Sequence, residues 1–275
     1  MIAPMCLIVF ALNPDPRRRL VLVANRDEFH HRPARAMHWW TDDGPLAGLD
    51  EQSGGTWLAI MPDGRIAAVT NFRSGKPENG RRSRGGLPMT LLDADTMAEG
   101  VAAIRSRSND YGRFNLIGFD GQRVHFVSSE AAGSRTIESG IHGVSNHVLD
   151  TPWPKLRSGC QWLADVLRSD ENEESIHDYL IRQFAHTTPA PDSELPDTGI
   201  GTEMERALSP VFIPGRHYGT RATTVVSITH DGVAGISEQS YGPDGIEGSR
   251  QRFRFDTLGY ASRVVSHNAS RRVHP

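Results

Sequence analysis

Cys6 heads an apolar run, Cys6-Leu7-Ile8-Val9-Phe10, and the next apolar run ends in Asn25-Arg26-Asp27-Glu28. A cysteine standing at a chain terminus is a nucleophile that carries its own base. Its thiol attacks, and its α-amine, with a reference pKa of about 7.7–8.0, takes the proton near neutral pH. Met5 and four earlier residues stand ahead of Cys6 here, so that terminus has to be made. Translation from Met5 with removal of the methionine exposes Cys6. Translation from Met1 puts bulky Ile2 second and requires self-cleavage between Met5 and Cys6. The expectation is that Met5 is the start and that residues 1–5 are an extension or a removed leader.

Three further strings end strands or follow them: Val69-Thr70-Asn71-Phe72-Arg73 with Ser83-Arg84-Gly85 beyond it, Gly143-Val144-Ser145-Asn146-His147, and Tyr218-Gly219-Thr220-Arg221. Together with Cys6 they make one chemistry. A thiolate needs cations beside it, which Arg26 and Arg221 supply. Asp27 or Glu28 orients the amine, and the amides of Asn71 and Asn146 donate to an oxyanion. Asn25, Glu28, Arg73, Arg84 and His147 are the substrate-binding set, or the catalytic set in an alternative register. Each also has a plain structural reading: Cys6 as a core thiol, Asn25 to Glu28 as an ion-paired turn, the asparagines as local backbone caps.

The elements that must position these residues read as hairpins first. Strands over Cys6–Leu12 and Leu20–Ala24 flank the turn Asn13-Pro14-Asp15-Pro16. Thr56–Met61 pairs with Ile66–Thr70 through Pro62-Asp63-Gly64, and Phe114–Phe119 with Val124–Val127 through Asp120-Gly121. Their near-continuous apolar character suits strands covered on both faces. Apolar spacing predicts helices over Leu87–Leu92, Thr96–Arg105 with Asp95 as cap, Lys155–Leu167, and Ile176–Phe184 behind Ser175. Thr187–Gly199 reads as a loop. Strands return at Ala222–Thr229, Val233–Ser237 and Arg250–Phe255. Strands at both ends with helices between them define an α+β fold of antiparallel sheets with helices outside. Residues 6–260 read as one domain and 261–275 as a disordered tail.

Composition excludes several classes. A net charge of −3 gives no basic field for nucleic acid or anionic membrane. The arginine clusters Arg17-Arg18-Arg19 and Arg81-Arg82-Ser83-Arg84 read as solvated turns. Two cysteines make no disulfide framework, and Cys160 falls in a helical apolar pattern, so a reducing cytoplasm is expected. The opening apolar run is too short for a secretory segment, and no stretch reaches the ~20 apolar residues of a membrane span. No Cys/His spacing suits a metal, and oligomeric state stays open.

The string Asn25-Arg26-Asp27-Glu28-Phe29 with Arg32-Pro33, Thr70-Asn71-Phe72-Arg73, Ser83-Arg84-Gly85, Gly143-Val144-Ser145-Asn146 and Gly219-Thr220-Arg221 resembles the NRDE, or transport and Golgi organization 2, family. The resemblance runs from Cys6 to about Phe255. It implies an N-terminal-nucleophile hydrolase fold, a four-layer αββα sandwich of two antiparallel sheets. More distantly the chain is similar to cholylglycine hydrolases and penicillin V acylases. Those enzymes carry an N-terminal Cys, an Arg-x-x-Asp, an Asn-Phe, a later Asn and a late Arg. Cys6, Asn71, Asn146 and, more loosely, Arg221 match in order. Spacing pairs Asn25 with the Arg and Glu28 with the Asp, whereas residue type selects Arg26 and Asp27. Strand alternation sends Arg26 and Asp27 to opposite faces unless the backbone turns.

Two functions follow from this resemblance. One is cysteine-dependent hydrolysis or acyl transfer at a linear amide bond of a small acyl-amide, with no cofactor required. The other is a carrier without chemistry, because the resembled family is implicated in moving haem and in coenzyme A and lipid metabolism. Haem or acyl-coenzyme A is then the cargo, with His30 and His31 on the haem side and His38, Trp39, Trp40, Arg32 and Arg35 nearby.

Overall fold

The computed structural model describes residues 5–75 and 80–259. The extension ahead of Met5 and the tail over 261–275 lie outside the described residues. In chain order the elements are β1 (Met5–Leu12), β2 (Arg18–Phe29), β3 (Ala34–Trp39), β4 (Leu46–Asp50), β5 (Leu58–Ile60), β6 (Ile66–Asn71), α1 (Leu87–Leu92) and α2 (Met97–Ser106). They continue with β7 (Phe114–Phe119), β8 (Val124–Ser128), β9 (Ser134–Ile137), β10 (Gly140–Val144), α3 (Pro154–Leu167) and α4 (Glu173–Gln183). Last come α5 (Thr202–Ala207), β11 (Tyr218–Thr229), β12 (Val233–Tyr241) and β13 (Glu247–Asp256).

One sheet runs β10-β1-β2-β11-β12-β13 and the other β3-β4-β5-β6-β7-β8-β9. Strand alternation divides the apolar residues between layers. Ile8, Phe10 and Leu12 of β1 point into the space between the sheets, where they meet Leu22, Ile60, Ile117 and Phe119. Leu7 and Val9 point the other way, onto Leu156, Leu163, Leu180 and Phe184 of the α3–α4 layer. Across the molecule Val69, Leu116 and Val127 pack on Leu87, Leu91, Val101 and Ile104 of α1 and α2. The result is the four-layer αββα sandwich, and the continuous apolar runs are strands buried on both faces. Among the described residues no helix is long and apolar enough to cross a membrane.

The differences from the sequence reading have local causes. The polar string Asn25 to Glu28 does not end its strand: β2 continues to Phe29, paired with both β1 and β11. Each of its four polar side chains is buried, and the partners that allow this come from distant segments. Thr96, not Asp95, caps α2, because its hydroxyl accepts from Glu99 N while the Glu99 carboxylate returns to Thr96 N at 3.1 Å. Asn172, accepting from Ser175 N at 2.9 Å, starts α4 three residues early. The polar stretch after Phe29 contains the edge strand β3, whose one buried side chain is Met37, so no alternation marks it.

Candidate active site around Cys6

Cys6, Arg26, Asp27, Glu28, Asn71 and Arg84 border one cleft of about 530 Å³. Cys6 and Arg26 are direct partners across β1 and β2. Both share the phase of Ile8 and Ala24, so both face the space between the sheets. The Arg26 guanidinium lies 4.2 Å from the ring centroid of Trp57, which enters from just before β5 in the other sheet. This cation–π contact ties the two sheets together beside the sulfur.

Asp27 takes the opposite face, as alternation requires. Its Oδ1 accepts from Thr220 Oγ1 at 2.7 Å, and its Oδ2 has no hydrogen-bond partner among the described residues. Its backbone N–H hydrogen-bonds the Cys6 sulfur. Burial pushes the Asp27 carboxyl up to about 6, against the pull of the Lys155 ammonium and the Thr220 hydroxyl. Burial, reinforced by the Asp27 carboxylate, pushes the Cys6 thiol up to about 12, although the Asp27 N–H and the Arg26 cation both favour the thiolate. Burial thus favours the neutral thiol over the thiolate.

The cleft walls are basic. Arg32 joins Glu28 at 3.6 Å and Asp50 at 2.7 Å, and its Nη2 donates to Ser53 Oγ at 2.8 Å. Arg81, Arg82 and Arg84 form the facing wall. Their turn is exposed, as expected, yet it is also anchored: the N–H groups of Arg81 and Arg82 donate to Asp110 O at 2.8 and 2.9 Å, and Thr56 N donates to Gly85 O at 2.9 Å. Gly55 permits this docking, because a Cβ there would stand 2.4 Å from the Gly85 carbonyl.

The remaining predicted residues lie outside the cleft lining. Asn25 turns toward the helical layer, where its Nδ2 donates to Phe184 O and Val211 O, both at 2.9 Å, and its Oδ1 accepts from Thr223 Oγ1 at 2.7 Å. Asn146 donates to Asn71 O at 3.0 Å and, through its own carbonyl, accepts from Arg73 N at 2.6 Å. It holds the end of β6 from behind. Arg73 is buried, ion-paired with Glu205 and stacked 4.6 Å from the Trp153 ring. His147 packs between Phe72 and Trp153, at centroid distances of 5.0 and 5.7 Å. Arg221 sits where the β2–β11 register shifts between Thr220 and Ala222, and the bulge re-aims its side chain. Its Nη1 donates to Phe29 O at 2.9 Å and Arg32 O at 3.1 Å. The His30 Nε2 is buried against Gly219, and His31 is exposed beside Phe29.

Sequence reasoning missed Lys155, Glu205, Thr220 and Trp57. Lys155 left a faint signal, since it falls in phase with the buried stripe Gly159, Leu163 and Val166 of α3. Glu205 left none, being one of two acids in a six-residue helix. Among the described residues no group of three or more His, Cys, Asp and Glu is arranged to hold a metal ion.

These features define a cysteine-bearing αββα sandwich with a charged cleft at the head of its first strand. The chain belongs to the Transport and Golgi organisation 2 family, whose model matches residues 5–243. It is 32% identical over 259 residues to the Transport and Golgi organization protein 2 homolog of Bos taurus, covering 86% of this chain and 93% of the bovine one. The Homo sapiens homolog is 30% identical over 261 residues, with the same coverage of 86% and 93%. Among solved structures, a mutant of the conjugated bile acid hydrolase from Clostridium perfringens superposes with a TM-score of 0.48 and 8% identity, over 92% of this chain and 93% of that one.

Proposed function

We propose that this protein is a cysteine-dependent hydrolase or acyltransferase acting on a linear amide bond. The observation that carries this reading is the Cys6 sulfur, which borders the cleft between the Asp27 N–H and the Arg26 guanidinium. On this reading Cys6 is the terminal residue, because its freed α-amine supplies the base that the raised thiol needs. Met5 is the partner of Asp27 across the strands, so an amine freed at Cys6 starts beside that position. The unpartnered Asp27 Oδ2 is an acceptor for it.

The α-amine takes the thiol proton as sulfur bonds to the amide carbon. The carbonyl oxygen becomes the oxyanion, held by the side-chain amide of Asn71, which Asn146 steadies from behind. The ammonium then passes its proton to the departing nitrogen as the C–N bond breaks, leaving a thioester. Water, or an acceptor amine in the transferase case, attacks that thioester and restores the thiol. The arginine walls suit an acyl donor bearing a carboxylate or other anion.

The decisive measurement is turnover of a panel of anionic acyl-amides by protein whose mature terminus has been read by intact mass. Cys6→Ala is expected to abolish turnover. Equal turnover in that variant, or a mature protein that retains residues ahead of Cys6 while active, overturns the reading.

The basic wall also favours a carrier reading, in which the cleft holds an anionic acyl cargo such as an acyl-coenzyme A without cleaving it. Binding that survives Cys6→Ala with no turnover in either protein supports the carrier. Haem fits this cleft poorly. Among the described residues no histidine lines it, and its apolar lining is confined to Trp57 and Val69.

A further inference from the structure

Large side chains fill the space between the sheets, except behind Cys6. Along β2 the inward residues run Leu20, Leu22, Ala24 and Arg26, and along β6 they include Ile66 and Ala68. Sheets packed face to face stand about 10 Å apart, so two alanines in one layer leave that gap unfilled. Strand register gathers the neighbours. Ile8, Ala24 and Thr224 are cross-strand partners two residues in from the Cys6–Arg26 pair, and Leu58 is the partner of Ala68 in the facing sheet. They enclose a cavity of about 10 Å³, room for about one methyl-sized group. Cys6, Arg26, Trp57 and Val69 border both this cavity and the charged cleft. Cys6 therefore stands at the junction of a wide polar space and a narrow hydrocarbon one.

The narrow space is built to stay apolar. Thr224 spends its hydroxyl on Glu238 Oε2 at 2.9 Å, and the Asn25 amide is committed to the helical layer. A buried water needs about two to four polar partners, whereas a methyl group needs none. The Trp57 boundary is also held firmly. Its ring lies under the Arg26 guanidinium and against Gly48, where a Cβ would stand 2.1 Å from it.

We infer that this cavity is the acyl pocket of the Cys6 centre, and that it limits the transferred acyl group to an acetyl or propionyl chain. The anionic remainder of the substrate then lies in the arginine-walled cleft, so the substrate class is a short-chain N-acyl derivative of an anionic amine. Sulfur bonds to the acyl carbon, the C–N bond breaks, and the thiol proton leaves on the amine nitrogen. The short chain stays in the pocket as the thioester. Longer chains are excluded by the walls, since a methylene too many in a packed site costs about tenfold. The inference rests on the reading of Cys6 as the nucleophile, but its test needs neither turnover nor a free terminus.

Alkyl methanethiosulfonates are the probes, because Cys6 displaces methanesulfinate and keeps an alkylthio group whose sulfur stands where the acyl carbon would. Rates for the methyl, propyl and hexyl reagents are read on the full chain by peptide mass at Cys6, with Cys160 scored separately. Each rate is divided by that of the same reagent with a cysteine peptide. The normalised rate is expected to fall about tenfold or more from methyl to hexyl. Leu58→Ala widens the cavity and is expected to bring the hexyl rate within a few-fold of the methyl one. Ala68→Val fills it and is expected to slow the methyl reagent about tenfold. If Leu58→Ala does not fold, Leu58→Val gives the same comparison with a smaller gain. A flat chain-length series in the parent overturns the proposal, as does a series that neither folded variant changes. A short-chain preference without amide turnover would support the pocket and count against the enzymatic reading alone. Turnover confined to long-chain acyl-amides would remove the pocket and leave Cys6 as the nucleophile.

Discussion

Arg26 stands directly opposite Cys6 across β1 and β2, with its guanidinium held 4.2 Å from the Trp57 ring centroid. A guanidinium lying on an aromatic face loses less freedom than one swinging in solvent, so its charge stays beside the sulfur. Arg26→Ala is expected to slow Cys6 alkylation about tenfold at a fixed pH below the thiol midpoint, the effect of roughly one pKa unit. Trp57→Leu is expected to give a smaller loss, because the charge remains and only its placement is relaxed. Equal alkylation rates in Arg26→Ala and the parent protein would show that the cation does not act on the thiol.

Asn25 adjoins Arg26 in sequence and serves the opposite face. Its amide satisfies two buried carbonyls, Phe184 O and Val211 O, and accepts from the buried Thr223 hydroxyl. Asn25→Ala leaves two buried carbonyls unpaired, at about 1–3 kcal/mol each before relaxation, while the Thr223 hydroxyl keeps its contact with Tyr241. A loss of about 2–4 kcal/mol in urea unfolding is expected, with the m-value and the Cys6 alkylation profile unchanged. An altered alkylation profile in a variant that is still folded would mean that Asn25 acts on the site after all.

The contrast between these neighbours explains what the sequence made legible. Periodicity revealed which faces of β1 and β2 are apolar, and the same period separates Arg26 from Asp27. Nothing in the string Asn25 to Glu28 says what each side chain meets, because those partners come from residues as distant as Val211 and Thr220. The setting of Arg221 was illegible for a related reason: one extra residue in β11 turns its side chain onto the carbonyls of Phe29 and Arg32, and a bulge leaves no mark in composition. Lys155 and Glu205 look like surface charges of amphipathic helices, and only the packing of α3 and α5 buries them.

The buried pair of Arg73 and Glu205 supports the floor behind the cleft. Glu205 also accepts from Thr198 N at 2.9 Å and Thr198 Oγ1 at 2.6 Å, which ties the loop before α5 to the strand end at Asn71 through Arg73 and Asn146. Glu205→Ala strands a buried guanidinium whose Nε already lacks a partner. Destabilisation of about 3–5 kcal/mol is expected in chemical unfolding. The double variant Arg73→Met/Glu205→Leu, which removes both charges, is expected to recover much of that loss. A Glu205→Ala protein as stable as the parent would show that the pair holds nothing in place.

His177 gives the pH dependence of stability a specific source. It projects from α4 onto the first sheet, its Nδ1 2.9 Å from Ser237 Oγ and its Nε2 3.0 Å from Ser227 Oγ. Hydroxyls serve a neutral imidazole as either donor or acceptor, and burial drives the ring's pKa down to about 4. The unfolded chain binds that proton near pH 6.5 and the folded chain near 4. The stability this histidine contributes is therefore fully present above about 6.5 and drains away as pH falls toward 4. Between pH 7.5 and 5 the loss is about 2 kcal/mol. Asp27, whose carboxyl is raised to about 6, works in the opposite sense over the same interval, because the folded chain binds its proton first. The comparison must therefore be the parent against His177→Gln, which cancels Asp27 and every other common group. Urea unfolding at the two pH values is expected to show the parent losing about 2 kcal/mol more than the variant over that interval. Parallel curves for the two proteins would mean that the imidazole is protonated in the folded state, donating to both serine hydroxyls.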